Sequence, residues 1–311
     1  MEDKRILAIV GPTAVGKTAF SIELAKAFSG EIVSCDSMQL YKFMDIGSAK
    51  PSKEELDSVP HHMIGVVNPK ESFSAVRYKE MAAKEVEGIF DRGNLPLIVG
   101  GTGLYLDALI YDMDFAARPE EDETYREELY ELAETRGVEA LFERLKEVDP
   151  EAAERIHPNN IKRVVRAIEA AEKGFGIEDY SRDKEYSRDL NPLIMGITME
   201  RRALYDRIDR RVDTLMDMGL LDEVKSLMDM GLDENYYSMQ GIGYKELIAY
   251  YKGEYDFDRA IELIKRNSRH YAKRQLTWFK RYEDIKWFDL STYEKGEEAL
   301  EDMIQWMKSE L

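Results

Sequence analysis

Apolar residues near the start of the chain fall in short runs that end at glycine or at a polar turn. "RILAIVG" (5–11), "GEIVSCDS" (30–37) and the first part of "NLPLIVGGTGLYLDALI" (94–110) read as buried strands. Between and after them the period becomes helical. "KTAFSIELAKAF" (17–28) reads as an amphipathic helix, and the third strand runs through a glycine turn into another. This alternation predicts an α/β fold, a parallel sheet flanked by helices. With the sheet wound in its usual order, the second strand should lie beside the first. Each polar turn follows the carboxyl end of its strand, which is where open α/β sheets bind ligands.

From about residue 117 to 190 no strand candidate appears. "EALFERLKEVDPEAAERIHPNNIKRVVRAIEAAEKG" reads as helix, break at Asp149-Pro150, short helix, break at His157-Pro158, helix. "PLIMGITM" (192–199) then reads as a strand rejoining the sheet, and the remainder as mostly helical. In "RRALYDRIDRRVDTLMDMG" (201–219), Leu204, Ile208, Val212 and Leu215 form one stripe. The expected organisation is a core of 1–116 and 192–311 interrupted by an all-helical insertion at 117–191. The length, 311 residues, exceeds what one hydrophobic core usually serves, in line with an appended unit.

Composition narrows this picture. The chain is 44% hydrophobic and 34% charged, an ordinary globular mix. Its apolar runs are too short to span a bilayer, and "MEDKRILAIV" has no secretory cleavage site. The single cysteine, Cys35, excludes a disulfide framework or a zinc cluster. A cytoplasmic protein, and a monomer, is expected. Cys35 itself reads as a small buried strand residue, with no histidine near it in sequence. "PHHM" (60–63) reads as a loop, and two histidines without a cysteine partner are weak grounds for a metal. The net charge of −18 argues globally against a polyanion partner. Yet the acid is concentrated in 119–154, while "KRNSRHYAKRQLTWFKR" (265–281) holds seven Lys/Arg and no Asp or Glu.

"GPTAVGKT" (11–18) is a complete G-x-x-x-x-G-K-[ST] string between a strand and a helix. Gly11, Pro12, Thr13, Ala14, Val15 and Gly16 would turn backbone amides onto a phosphate. Lys17 would add a point charge, and Thr18 would ligate magnesium. This P-loop leaves the reaction class open. Asp36, in "CDSMQLY", would project toward the phosphate as a magnesium ligand or a general base, or else serve an Asx turn or a cap. Ser37 and Gln39 would meet a base edge or face solvent. Thr102, in "GGTGLY", would donate to a leaving-group oxygen, or cap the next helix. Arg207 and Arg211, four apart, would close over a pyrophosphate as a lid, or pair with Asp206, Asp209 and Asp213 on a solvated face. In the basic stretch, Arg266, Arg269, His270, Lys273 and Arg274 cluster, with Tyr271, Trp278 and Phe279 between them. That combination suits unpaired RNA, or an amphipathic helix with aromatics in the core. Lys162, Arg163 and Arg166 offer a second basic patch inside the acidic insertion.

Taken together, "GPTAVGKT", "CDSMQLYKFMDIGSAKP", "PHHMIGVVNPKESFSAVRY", "LIVGGTGLYLDAL", "VDPEAAERIHPNNIKRVVRAIE", "GIGYKE" and "YAKRQLTWFKR" resemble the bacterial tRNA dimethylallyltransferase (tRNA isopentenyltransferase) family over nearly the whole chain. The resemblance implies a P-loop NTPase-like core with a mobile helical domain. It also implies transfer of a dimethylallyl group from its diphosphate, with magnesium, to the exocyclic amine of the adenosine just 3′ of the anticodon (position 37), in the anticodon stem-loop of tRNAs reading U-starting codons. Asp36 inherits the role of base, and Asp36, Ser37, Met38 and Gln39 that of contacting the extruded adenine. Thr102 would assist pyrophosphate departure, and Thr13 to Thr18 would hold the diphosphate. Arg126, in "ETYREE", matches an arginine that meets the tRNA, and "KRVVR" (162–166) an RNA-facing helix. Lys162 stands where Gln is common and Phe43 where Gly is common, and the spacing from Thr102 to Arg126 is slightly long. The competing readings are an isopentenyltransferase for free adenine nucleotides, a small-molecule P-loop kinase, and a non-catalytic RNA-binding NTPase switch.

Overall fold

The computed structural model of the chain describes residues 4–111, 123–174, 186–187 and 190–311. In chain order the elements are β1 (Arg5–Val10), α1 (Lys17–Ala27), β2 (Gly30–Cys35), α2 (Lys53–Ser58), β3 (His61–His62), α3 (Ala75–Asp91), β4 (Leu95–Gly100), α4 (Gly103–Ile110), α5 (Glu123–Arg136), α6 (Val138–Val148), α7 (Pro150–Arg155), α8 (Ile161–Glu172), β5 (Asn191–Thr198), α9 (Arg201–Asp217), α10 (Leu220–Asp229), α11 (Tyr244–Tyr251), α12 (Phe257–Phe279), β6 (Lys286–Asp289) and α13 (Gly296–Glu310). The chain divides into two compact units, one of Met1–Asp112 with Tyr186–Leu311, the other of Met113–Glu185. The boundary read between 116 and 117 lies outside the described residues. The one read between 191 and 192 falls one residue into β5.

The first unit is built on a six-stranded sheet of order β3-β2-β4-β1-β5-β6, with every pair parallel. β1, β2 and β4 are buried nearly throughout, as expected of strands covered on both faces. The order corrects one expectation: the second strand does not adjoin the first, because β4 lies between them. The apolar "LPLIVG" of β4 suits a central position. β2 carries Glu31 and Ser34, whose polar groups find partners toward the edge. Two strands were not legible. "PHHM" is not only loop, because His61 and His62 pair with Ile32 and Val33 as a short edge strand. The tail read as helical also adds β6 beside β5. Runs of two and four residues are too short to show alternation.

Register places the carboxyl ends level: Gly100 of β4 pairs with Val10 of β1 on one side and Cys35 of β2 on the other. Three turns therefore meet at one edge, with the β4 turn in the middle. Behind them, α12 is a 23-residue helix whose start is fixed by the Asp256 side chain, which accepts from the Arg259 N–H. It buries Ala260, Ile264, Ala272, Gln275 and Phe279 and exposes Arg266, His270, Lys273 and Arg274.

The second unit is helical wherever it is described. The breaks fall at the two prolines. Asp149 caps α7 by accepting from the Ala152 N–H, with Pro150 in the first turn, where its missing N–H costs nothing. Leu129, Leu141, Leu145, Val164, Val165 and Ile168 form its core.

Candidate active site

The P-loop joins β1 to α1 as expected. Ala14 has φ 65° and Gly16 φ 106°, so one non-glycine residue is held in the left-handed region at a cost of about 1–2 kcal/mol. The Lys17 ammonium donates to the carbonyls of Gly11 (3.0 Å) and Pro12 (2.9 Å). Burial pulls its pKa down to about 8, opposed by the Asp36 carboxylate and reinforced by the Arg211 guanidinium. Arg211 is itself held below its ordinary value by burial, with Asp36 acting against that and Arg207 with it. Arg207 lies over the loop, its Nη2 being 3.5 Å from where a β-carbon on Gly16 would stand.

The contacts of α9 differ from the solvated-face reading. Asp209 pairs with Arg269 and Asp213 with Lys265, both across to α12. Among the described residues neither aspartate pairs with Arg207 or Arg211. The two arginines face the P-loop, and Arg269, expected on the RNA face, is tied to α9 instead.

The Asx-turn reading of Asp36 is observed. Its Oδ1 accepts from the Met38 N–H at 2.9 Å, closing an Asx turn. That leaves Oδ2 toward a field in which Lys17 and Arg211 are the cationic neighbours. Thr102 occupies the N-cap position of α4, but its side chain does not cap the helix. Its Oγ1 instead accepts from the Ser37 N–H at 3.0 Å, and its own N–H donates to the Cys35 carbonyl at 3.1 Å. The β4 turn is thus bonded to the segment that carries Asp36. Cys35 is buried, and its thiol is pushed up to about 12 by burial, as suits a packing residue. Met38 packs against Gly241. The Gln39 amide is oriented by Ser34, which donates to it at 2.8 Å, and by the Ala49 carbonyl, to which it donates at 3.2 Å.

Three contributors were not read from the sequence as parts of this site: Tyr271 and Trp278 were expected to meet RNA or to sit in the core, and Gln275 was not singled out. Tyr271, Gln275 and Trp278 lie at i, i+4 and i+7, on one face of α12. The Tyr271 phenol is held protonated by burial, with the Asp36 carboxylate acting in the same direction. Trp278 packs on Gly103, where a β-carbon would stand 2.1 Å from the indole. The Gln275 side chain accepts from the Thr13 N–H at 2.8 Å and donates to the Gly101 carbonyl at 3.0 Å. A helical period of polar and aromatic residues pointed to this face, but nothing local says what it packs on. Glu223 of α10 is a fourth. Its carboxylate accepts from the backbone N–H groups of Asp45, Ile46 and Gly47 (2.7, 2.7 and 2.9 Å) and from the Tyr244 hydroxyl.

On the outer side of α12, His270, Lys273, Arg274, Thr277, Trp278 and Arg281 line a cleft of about 530 Å³ with no carboxylate in its lining. The Arg281 guanidinium stacks 4.0 Å from the Trp278 ring centre. In the second unit Lys162, Arg163 and Arg166 are exposed on α8, opposite Val164, Val165 and Ile168. Arg126 is only 20% exposed and holds Glu169 with both Nε (2.8 Å) and Nη2 (2.7 Å), which gives it a structural task inside that unit. The histidine pair serves the sheet edge: His62 lies between Glu31 (2.7 Å) and Glu85 (2.9 Å). Among the described residues no group of three or more His, Cys, Asp or Glu could hold a metal by itself.

The chain that carries this phosphate loop has relatives among known proteins. Residues 39–282 match the family model described as IPP transferase. The tRNA dimethylallyltransferase of Alkaliphilus oremlandii is 47% identical over 306 residues, 98% of this chain and 97% of the relative. The full-length tRNA isopentenylpyrophosphate transferase of Bacillus halodurans superposes with a TM-score of 0.74 at 43% identity, covering 99% of this chain and 96% of that one. A eukaryotic dimethylallyltransferase acting on tRNA reaches 0.76 at 28% identity, over 93% of this chain and 74% of that one. Sequence and fold agree, and the chain belongs to the IPP transferase family, whose members compared above are tRNA dimethylallyltransferases and isopentenyltransferases.

Proposed function

We propose that this protein transfers a dimethylallyl group from dimethylallyl diphosphate to the exocyclic amine of adenosine 37, beside the anticodon, in tRNAs reading U-starting codons. The observation that carries this reading is the bond between the Ser37 N–H and Thr102 Oγ1. It joins the segment bearing the one candidate base to the turn bearing the one candidate leaving-group hydroxyl, in the field of Lys17 and Arg211. A kinase would call for a second phosphate acceptor and does not need that pairing.

In the proposed step the amine nitrogen bonds to the allylic carbon as the carbon–oxygen bond to the diphosphate breaks. Asp36 takes the amine proton, and the electron pair of the broken bond leaves with pyrophosphate. The P-loop amides, Lys17, Arg207 and Arg211 stabilise the departing anion. The Thr102 hydroxyl accepts from Ser37 and can donate onward to the oxygen that is released. The Thr18 hydroxyl is a hard oxygen donor that would hold a magnesium ion together with diphosphate and water, and the ion would add positive charge against the leaving group. The anticodon stem-loop would meet the outer face of α12, where Lys273 and Arg274 are exposed; on the second unit, taken by itself, Lys162, Arg163 and Arg166 are an exposed basic patch suited to RNA phosphates. The protein would work as a cytoplasmic monomer. Among the described residues no helix is long and apolar enough to cross a membrane.

Asp36→Ala tests the role of the base. Transfer should fall by roughly 10²–10⁴, while the dissociation constant for tRNA, measured by filter binding, stays within a few-fold. Loss of binding and of folded protein together would make Asp36 a turn residue only.

A further inference from the structure

We infer that Gln275 is a positioning residue for this reaction: its amide sets the spacing between the diphosphate loop and the turn that carries Thr102. The inference rests on the proposed transferase reading.

The two loops belong to adjacent strands, β1 and β4, but beyond the strand ends nothing in the ladder holds them in register. Gln275 does so from a third element. It is 4% exposed, and both ends of its amide are used, with Oε1 on the Thr13 N–H and Nε2 on the Gly101 carbonyl. Only one orientation works, since a flipped amide would set donor against donor and acceptor against acceptor. The backbone is shaped to admit it, for a β-carbon on Gly101 would stand 2.0 Å from Nε2. Gly101 precedes Thr102, and Thr13 lies four residues before Lys17, so one side chain ties the leaving-group hydroxyl to the anion cradle. Its neighbour on the same face, Trp278, packs on Gly103, which keeps α12 seated over the turn. A misplacement of about 1 Å between reacting groups can cost about 10²-fold in rate. A bridge acting on that spacing should therefore show in kcat more than in donor affinity.

Two variants test this in the full-length protein with dimethylallyl diphosphate, magnesium and unmodified tRNA. Gln275→Met keeps the volume and removes both hydrogen bonds. It should lower kcat at least tenfold while KM for the donor changes less than threefold and the folded fraction, read by circular dichroism, matches wild type. Gln275→Glu reproduces the donor–acceptor pattern only while the introduced carboxyl is protonated. Its kcat should approach wild type at the acid end of the usable range and fall at least tenfold as that carboxyl ionises, a limb absent from wild type and from Gln275→Met. A wild-type kcat in Gln275→Met, a loss that only tracks the unfolded fraction, or a Gln275→Glu profile parallel to wild type would overturn the inference. A wild-type enzyme that transfers no dimethylallyl group would instead overturn the transferase reading and, with it, this one.

Discussion

Lys17 shows how single residues carry the chemistry. Burial lowers its pKa to about 8, and the nearby guanidinium of Arg211 works in the same direction. Below that pH the ammonium is charged and binds an anion. Above it, the free enzyme is neutral at this position and must take up a proton when diphosphate binds. The expected outcome is a kcat/KM for the donor that falls about tenfold per unit above pH 8, with a Lys17→Met variant low and flat. A wild-type profile level to pH 9.5 would contradict it. The pattern of the P-loop made Lys17 legible from the sequence, because the motif encodes its own local geometry. Asp36 and Thr102 were legible as candidates but not as partners, since they come from strands that the chain does not visit consecutively. Phe43 has φ 65° and is 55% exposed. The turn demands a left-handed residue whichever side chain occupies it.

At the scale of elements, α10 and α12 act as braces, and this is where the sequence was least readable. Their helical periods were plain, yet which loop each would hold depends on tertiary placement. Glu223 collects three backbone N–H groups and one phenol, and so anchors the loop whose Ala49 carbonyl orients Gln39. Hydrogen bonds to a charged group contribute about 1.5–3 kcal/mol each, and losing the common acceptor leaves several donors without it. Glu223→Ala should therefore release this loop without unfolding the sheet. In hydrogen exchange, the Asp45, Ile46 and Gly47 amides should lose protection while those of β1 and β4 keep theirs, and KM for tRNA should rise. Unchanged protection at 45–47 would show that the loop does not depend on the clamp. The sheet order makes the same point. Apolar runs identified β1, β2 and β4 as strands, but their spatial order rests on pairing that no single run encodes.

Across the whole molecule, a net charge of −18 coexists with a cationic site and a basic outer face on α12. Bulk charge therefore says little about the partner, and local geometry decides. For unpaired RNA each phosphate contact adds about 0.7 to the slope of log affinity against log salt. With about three contacts, tRNA binding should weaken roughly twentyfold from 50 to 200 mM salt. Replacing both Lys273 and Arg274 by Ala should reduce the slope by about 1.4. A slope unchanged in that double variant would place the RNA elsewhere.

The central claim, that the phosphate loop holds an isoprenoid diphosphate as a leaving group for a reaction on tRNA, is tested most directly by supplying labelled dimethylallyl diphosphate and magnesium, without ATP, together with either unmodified tRNA or AMP. The account predicts label on tRNA alone. Label on AMP alone, or no transfer until ATP is added, would contradict it.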